Sequence, residues 1–326
     1  MEHNFDRSNE RMATAIQLVS TSADAREQLK AEYHKRSDAA FAPETLRNFR
    51  QITAMFCSWC REKGYDAAPP VDPKAVAAYV DYLGGKVRST AIGVRLWAIS
   101  EMHRAQFQPS TCNHRLVELA VKAVKRKYGA AVRLAPPLGK KEMIETIQKL
   151  GSSRLELRDK AVLWVATDSG CRASKIVAFK VKDLVRQDDG SSLLYVSRSK
   201  TDPYGEGAYS FLSEAGTEAV LRWIETAGLE SSDPIITKSQ PNSQIRHMDP
   251  ATISRILKRC TGRSEVSAHS TRVGGVQDAF RLRCDLSSIM VAGRWSSPEM
   301  PDRYGRRIMA SQSTSAQVSA AFSKSR

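Results

Sequence analysis

Residues 268–278 read Ala268-His269-Ser270-Thr271-Arg272-Val273-Gly274-Gly275-Val276-Gln277-Asp278. A helix fits Ser270 to Leu282, with His269 at its head and Arg272 in its first turn. Further helices fit Pro250 to Cys260 upstream and Leu286 to Ala292 downstream. The downstream helix leads into Gly293-Arg294-Trp295, and Tyr304 follows nine residues after Trp295. Further upstream a helix fits Glu156 to Thr167 and ends in Ser169-Gly170-Cys171-Arg172. Two β-rich runs, Ser192 to Arg198 and Ala208 to Leu212, flank a turn holding Asp202-Pro203 and Gly205, with Lys200 at the tip. A helix fits Glu214 to Ala227. The second half is therefore mainly α with a small β-sheet.

The first half reads as helices alone. Pro43 and Glu44 suit a first helical turn, and Leu46, Phe49, Ile52, Phe56 and Trp59 recur at helical spacing. Asp72-Pro73 opens a helix that Gly84-Gly85 closes. Ser89 or Thr90 is expected to cap a helix running to His103, and another runs from about Asn113 to Tyr128. The domains are expected at 1–22 (a disordered tail), 23–132 (helical), 133–139 (a linker carrying Pro136-Pro137 and Gly139) and 140–326.

The 326 residues carry 50 Lys+Arg against 35 Asp+Glu, a formal net charge of +15. Apolar residues make up 41%, enough for two buried cores and too many for a disordered basic chain. Nucleic acid, an anionic membrane surface or plain solubility would each account for such an excess. No apolar run approaches the ~20 residues that span a bilayer, and the first residues lack a secretory pattern. Six Cys without disulfide spacing suit a reducing, cytoplasmic location. Cys57-Ser58-Trp59-Cys60 lacks a second pair and lies in an amphipathic helix, so its thiols are expected to be packing residues. There is no phosphate-binding Gly-rich loop, and no cluster of acids or His that would hold a catalytic metal, so no cofactor is expected.

Taken singly, Arg172, Lys200, His269, Trp295 and Tyr304 have plain readings: surface charge, an exposed turn, a helix capper, core, packing. Together and in this order they resemble the signature of the tyrosine site-specific recombinases. Residues 268–278 and Ser287-Ser288-Ile289-Met290-Val291-Ala292-Gly293-Arg294-Trp295 carry the resemblance. Trp at position 295, rather than the commoner His, points to one branch of the family. The likeness extends loosely to Phe56-Cys57-Ser58-Trp59-Cys60 and covers most of the chain after residue 22.

The resemblance implies a catalytic site of Arg172, Lys200, His269, Arg272, Trp295 and Tyr304. Tyr304 would be the nucleophile, giving a 3′-phosphotyrosine and a free 5′ hydroxyl. Two arginines suit the nonbridging oxygens of a phosphodiester, because their planar forks are always charged. Lys200 would protonate the leaving oxygen, and His269 would manage the tyrosine proton. The link conserves bond energy, so neither ATP nor metal is required. One departure is Lys175, where the family often has an acid supporting the first arginine. Either a substitute acid, with Asp168 and Asp202 nearby in sequence, or a DNA contact by Lys175 itself is expected. Pro301 is expected to weaken the first turn of the helix bearing Tyr304 and leave that segment mobile.

The same resemblance implies a C-shaped clamp on double-stranded DNA, made by a helical core-binding domain and a mixed α/β catalytic domain. Arg47, Asn48 and Gln51, then Ser89, Thr90 and Arg95, are candidate groove readers. Lys122, Lys125, Arg126 and Lys127 are candidate phosphate contacts. Ser254, Arg255, Lys258 and Arg259 form a third group. A helix in Ser311 to Phe322 would dock on a neighbouring subunit, making a homotetramer on inverted-repeat sites without a membrane. Two other outcomes share the motifs: the same chemistry in a telomere resolvase or type IB topoisomerase, and a catalytically weak DNA-binding relative.

Overall fold

The computed structural model describes residues 23–131, 133–196, 207–238 and 247–323. The expected tail, 1–22, and the hairpin tip with Lys200 and Asp202 lie outside them. The chain divides into two compact units, Met1–Val132 and Arg133–Arg326.

The first unit holds helices α1 (Ala23–Ala40), α2 (Pro43–Lys63), α3 (Pro73–Leu83), α4 (Ser89–Ala105) and α5 (Arg115–Tyr128). Helix α2 starts on Pro43 and stops at Gly64, whose left-handed φ of 73° lets the chain reverse. Asp72 caps α3 by accepting the N–H of Lys74 at 2.8 Å. The core gathers Phe56, Trp59, Tyr79, Val80, Ile92, Ile99, Val117 and Val124. Two expectations differ from the outcome. Arg88, not Ser89, precedes α4, and the Ser89 hydroxyl donates to the carbonyl of Gly129 at 2.5 Å instead of capping. Arg95 is half-buried and donates to the carbonyl of Ala91 in its own helix, 3.4 Å away. Cys60 is fully buried and burial pushes its thiol up to about 11, while Cys57 is partly exposed with its thiol also raised by burial, so neither is an activated thiolate.

The second unit runs α6 (Lys140–Gln148), α7 (Arg154–Asp168), α8 (Ala173–Ile176), β1 (Leu184–Arg186), β2 (Ser192–Val196), β3 (Ala208–Leu212), α9 (Glu214–Ala227), α10 (Pro250–Thr261), α11 (Ser270–Arg281), α12 (Leu286–Gly293), α13 (Glu299–Ser311) and α14 (Thr314–Ser323). The strands form an antiparallel sheet in the order β1-β2-β3. Period-2 alternation turns Leu194, Val196 and Leu212 inward and leaves Tyr209 and Phe211 exposed. Helix α7 is the central rod. Its Ala161, Val162, Leu163, Val165 and Ala166 are all buried, and α9 packs on it through Val220 and Trp223. A capping box of Ser153 and Glu156 starts it.

Residues 133–139 pack on the second unit. Leu134 and Ala135 lie against the cluster of Val273, Val276, Phe280, Ile289 and Tyr304. Leu138 is buried, and its N–H donates to the carbonyl of Ser270 at 3.0 Å. Asp278 of α11 accepts the N–H of Lys140 at 2.7 Å, capping α6 from across the fold.

Candidate active site

The site is assembled at the head of α11. His269 sits on the turn that starts the helix, and that turn is pinned from below. The Ser254 hydroxyl of α10 accepts the N–H of Ala268 at 3.0 Å, and the Ser270 hydroxyl accepts the N–H of Ser267 at 3.0 Å. Gly274 is required one turn later, because a Cβ there would lie 2.1 Å from the carbonyl oxygen of Leu138.

Tyr304 comes from α13. Its hydroxyl lies 2.6 Å from Nε2 of His269, and the two rings meet edge to face. The Trp295 ring meets that of Tyr304 edge to face at 6.1 Å. Only glycine at 293 leaves room for the indole, since a Cβ there would fall 1.6 Å from it. Helix α13 is seated closely on α11. A Cβ at Gly305 would meet the Phe280 ring at 2.2 Å, and the Gln277 amide donates to the Tyr304 carbonyl at 3.2 Å. Tyr304 is 3% exposed. Pro301 does not weaken the first turn as expected. It stands among the N-terminal positions whose N–H has no helical partner, and the ladder begins with the Asp302 N–H donating to Pro298.

Arg272 is 3% exposed and stacks its guanidinium on Trp295 at 4.6 Å. It donates to the carbonyls of Gly170 and Gly293. Among the described residues it has no carboxylate partner, and its Nε has no acceptor. Burial, then the charges of Arg172 and Arg294, pull its pKa down to about 10. Arg172 stands at the N-cap position of α8 without a side-chain cap, two residues after Gly170, whose φ of 55° makes the turn. Its charge acts on His269, Arg272 and Tyr304. A buried cation without a counter-ion is costly, so this pocket is built for an anion that arrives later.

The electrostatics suit proton transfer. Burial, followed by Arg272 and Arg172, lowers the pKa of His269, so its imidazole is neutral near pH 7, and with the ring proton on Nδ1 its Nε2 accepts from Tyr304. Burial raises the Tyr304 pKa, against the opposing pull of Arg272, Arg172 and Arg303.

The expected substitute acid is not supplied by Asp168. Its carboxylate is held by the ammonium of Lys140 and by the N–H and hydroxyl of Ser213, at 2.8 and 2.5 Å. Lys175 lies with its ammonium 5.1 Å over the ring of Phe179.

Five of the six expected catalytic residues thus converge, and Lys200 lies outside the described residues. Of the expected DNA contacts, Arg47, Asn48, Gln51, Thr90, Lys122, Lys125, Arg126, Lys127, Arg255 and Lys258 are exposed. Arg259 is engaged elsewhere: its guanidinium binds the buried Asp159, which Arg158 also holds. Ser254 serves the His269 turn. The reading of the motifs missed Gln277, Ser254 and Arg294 as supports. Only Arg294 left a trace in the sequence, as a charged residue where the chain must turn sharply before Trp295.

The phage integrase family profile matches residues 138–310, more than half of the chain. The chain belongs to this family, the tyrosine recombinases, whose members cleave and rejoin DNA. It is 23% identical to the recombinase Cre of Escherichia phage P1 over 320 residues, covering 90% of this chain and 92% of Cre. It is 26% identical to an integrase/recombinase XerD homologue of Selenomonas ruminantium, covering 85% and 86%. Its fold is similar to that of a Tn1549 transposon integrase solved with transposon right end DNA. The TM-score is 0.62 at 12% identity, over 87% of this chain and 98% of that one.

Proposed function

We propose that this protein is a site-specific recombinase that exchanges strands between two DNA duplexes through a Holliday junction. The observation that carries the reading is the Tyr304 hydroxyl on His269, beside the buried Arg272, which has no carboxylate partner among the described residues. The Tyr304 oxygen attacks the scissile phosphorus as its proton passes to Nε2 of His269. Arg172, Arg272 and the indole N–H of Trp295 hold the nonbridging oxygens where charge develops. The bond to the 5′ oxygen breaks, and Lys200 gives that oxygen a proton. A 5′ hydroxyl from the second duplex then reverses these steps and releases Tyr304. Atoms and bond energy balance without any other reactant.

The helical unit carries groove contacts on Arg47, Asn48, Gln51 and Thr90 and phosphate contacts on Lys122, Lys125, Arg126 and Lys127. Both units contact intracellular DNA bearing inverted repeats. Assembly as a tetramer is supported by two complementary surfaces. Helix α14 buries none of its residues, and its Phe322 is 76% exposed. A cavity of 320 Å³ lined by Val276, Ala279, Leu282, Ile289 and Phe211 offers an apolar seat for the same helix of a neighbour. The test uses a site that the protein itself selects from random-sequence duplexes. Two such duplexes should yield a four-way junction on a native gel. Nicking and relaxation without a junction would reduce the activity to that of a topoisomerase.

A further inference from the structure

Arg294 ends α12 with φ 53° and ψ 52°, a left-handed conformation that disfavours any residue with a Cβ. Its side chain explains why arginine is tolerated there. The guanidinium donates twice to the carbonyl of Ser169, at 3.3 and 3.2 Å, and also to the hydroxyl of Ser210 on β3. The Cys171 sulfur lies 3.1 Å away. Ser169, Gly170 and Cys171 are the turn that presents Arg172. Arg272 already holds the Gly170 carbonyl from the other side. Two arginines therefore grip consecutive carbonyls of the turn that carries a third. β3 pairs with β2, and Lys200 falls in the sequence between these two strands.

We propose that Arg294 is a positioning residue, clamping the 169–171 turn so that Arg172 stays aimed at the scissile phosphate without an acid at position 175. The inference rests on the recombinase reading above. Lys175 sits over Phe179 and supplies no such support, whereas Arg294 reaches the same turn from α12. The clamp acts through Arg172 and not on the DNA, so its loss should slow chemistry and leave binding alone.

The test measures single-turnover cleavage of a nicked suicide duplex built on the selected site, alongside its dissociation constant and the protein's melting temperature. Arg294→Gly removes the clamp and suits the left-handed backbone. It should bind within about twofold of wild type and cleave at least about tenfold more slowly. A duplex with a methylphosphonate at the scissile position lacks the charge that Arg172 meets, so on it the two proteins should differ by less than about threefold. Adding Lys175→Glu to Arg294→Gly supplies a carboxylate from the other side and should recover part of the lost rate. Cleavage by Arg294→Gly at the wild-type rate would overturn the proposal. So would an equal defect on the methylphosphonate, or a loss explained wholly by weaker binding or melting. An absence of adduct from wild type itself would overturn the recombinase reading and this inference with it.

Discussion

The Tyr304 hydroxyl lies 2.6 Å from Nε2 of His269, and the charge of Arg272 acts on both side chains. That contact makes the phenolic proton transferable before DNA arrives. Its pH dependence follows from sign. His269 must be neutral to accept, and its pKa is depressed below 6.5. Single-turnover cleavage should therefore hold steady near pH 7 and fall only below pH 6.5. In Arg272→Ala the depressing charge is gone, and the acid limb of the slower rate should move upward in pH. An unmoved limb would assign the titration to another group.

Gly274 and Gly275 make a paired test of the packing beneath His269. Gly274→Ala drives a methyl against the Leu138 carbonyl. A backbone atom is hard to displace, so a loss of about 1–3 kcal/mol is expected. Gly275→Ala meets nothing within 4 Å on an exposed helical position. It should gain up to about 1 kcal/mol from helix propensity. Urea unfolding of the two variants reads both signs.

The catalytic constellation was legible in the sequence because it depends on residue types in a fixed order, and chemistry constrains those types. Most helices of both units were legible from periodicity and caps, but α1, α6 and the single-turn α8 were not assigned. Asp72-Pro73 and Pro43 mark starts whose N–H accounting is local. The supports were not legible. Ser254 is 14 residues from the N–H it holds, Asp278 is 138 residues from its partner, and nothing nearby distinguishes either from a surface residue. β1 spans three residues, too short for alternation to register. Arg259 looked like its neighbours Arg255 and Lys258 because a charged helix face does not reveal that a buried acid, Asp159, waits beneath one of them.

That difference separates the basic residues experimentally. If Lys122, Lys125, Arg126 and Lys127 touch phosphates, replacing all four by Ala should flatten the plot of log affinity against log salt. The slope should fall by about one unit for each phosphate no longer neutralised. Arg259→Ala should leave that slope unchanged and lower stability instead, since its guanidinium is already on Asp159. Fluorescence anisotropy across a salt series distinguishes the two.

His103 is expected to make the helical unit sensitive to acid. It is fully buried, with Nε2 accepting the Val71 N–H at 3.1 Å and Nδ1 2.8 Å from the Ile99 carbonyl. Burial lowers its pKa, so the unfolded chain takes up the proton first as pH falls below 6.5. This histidine's contribution is complete above that value and lost as pH falls through the depressed folded pKa. His103→Phe should cost about 1–3 kcal/mol at pH 7 by orphaning the Val71 N–H. It should also flatten the fall in melting temperature below pH 6.5. An equally steep fall in the variant would place the sensitivity elsewhere.

The central claim is that Tyr304 forms a covalent bond to DNA. Its direct measure is the protein–DNA adduct on a denaturing gel, using a nicked suicide duplex of the selected site. Wild type should give an adduct linked through Tyr304, identified by mass spectrometry of the tryptic phosphopeptide, while Tyr304→Phe binds the same duplex and gives none. An adduct that persists in Tyr304→Phe, or a wild type that binds its site and never links to it, would contradict the account.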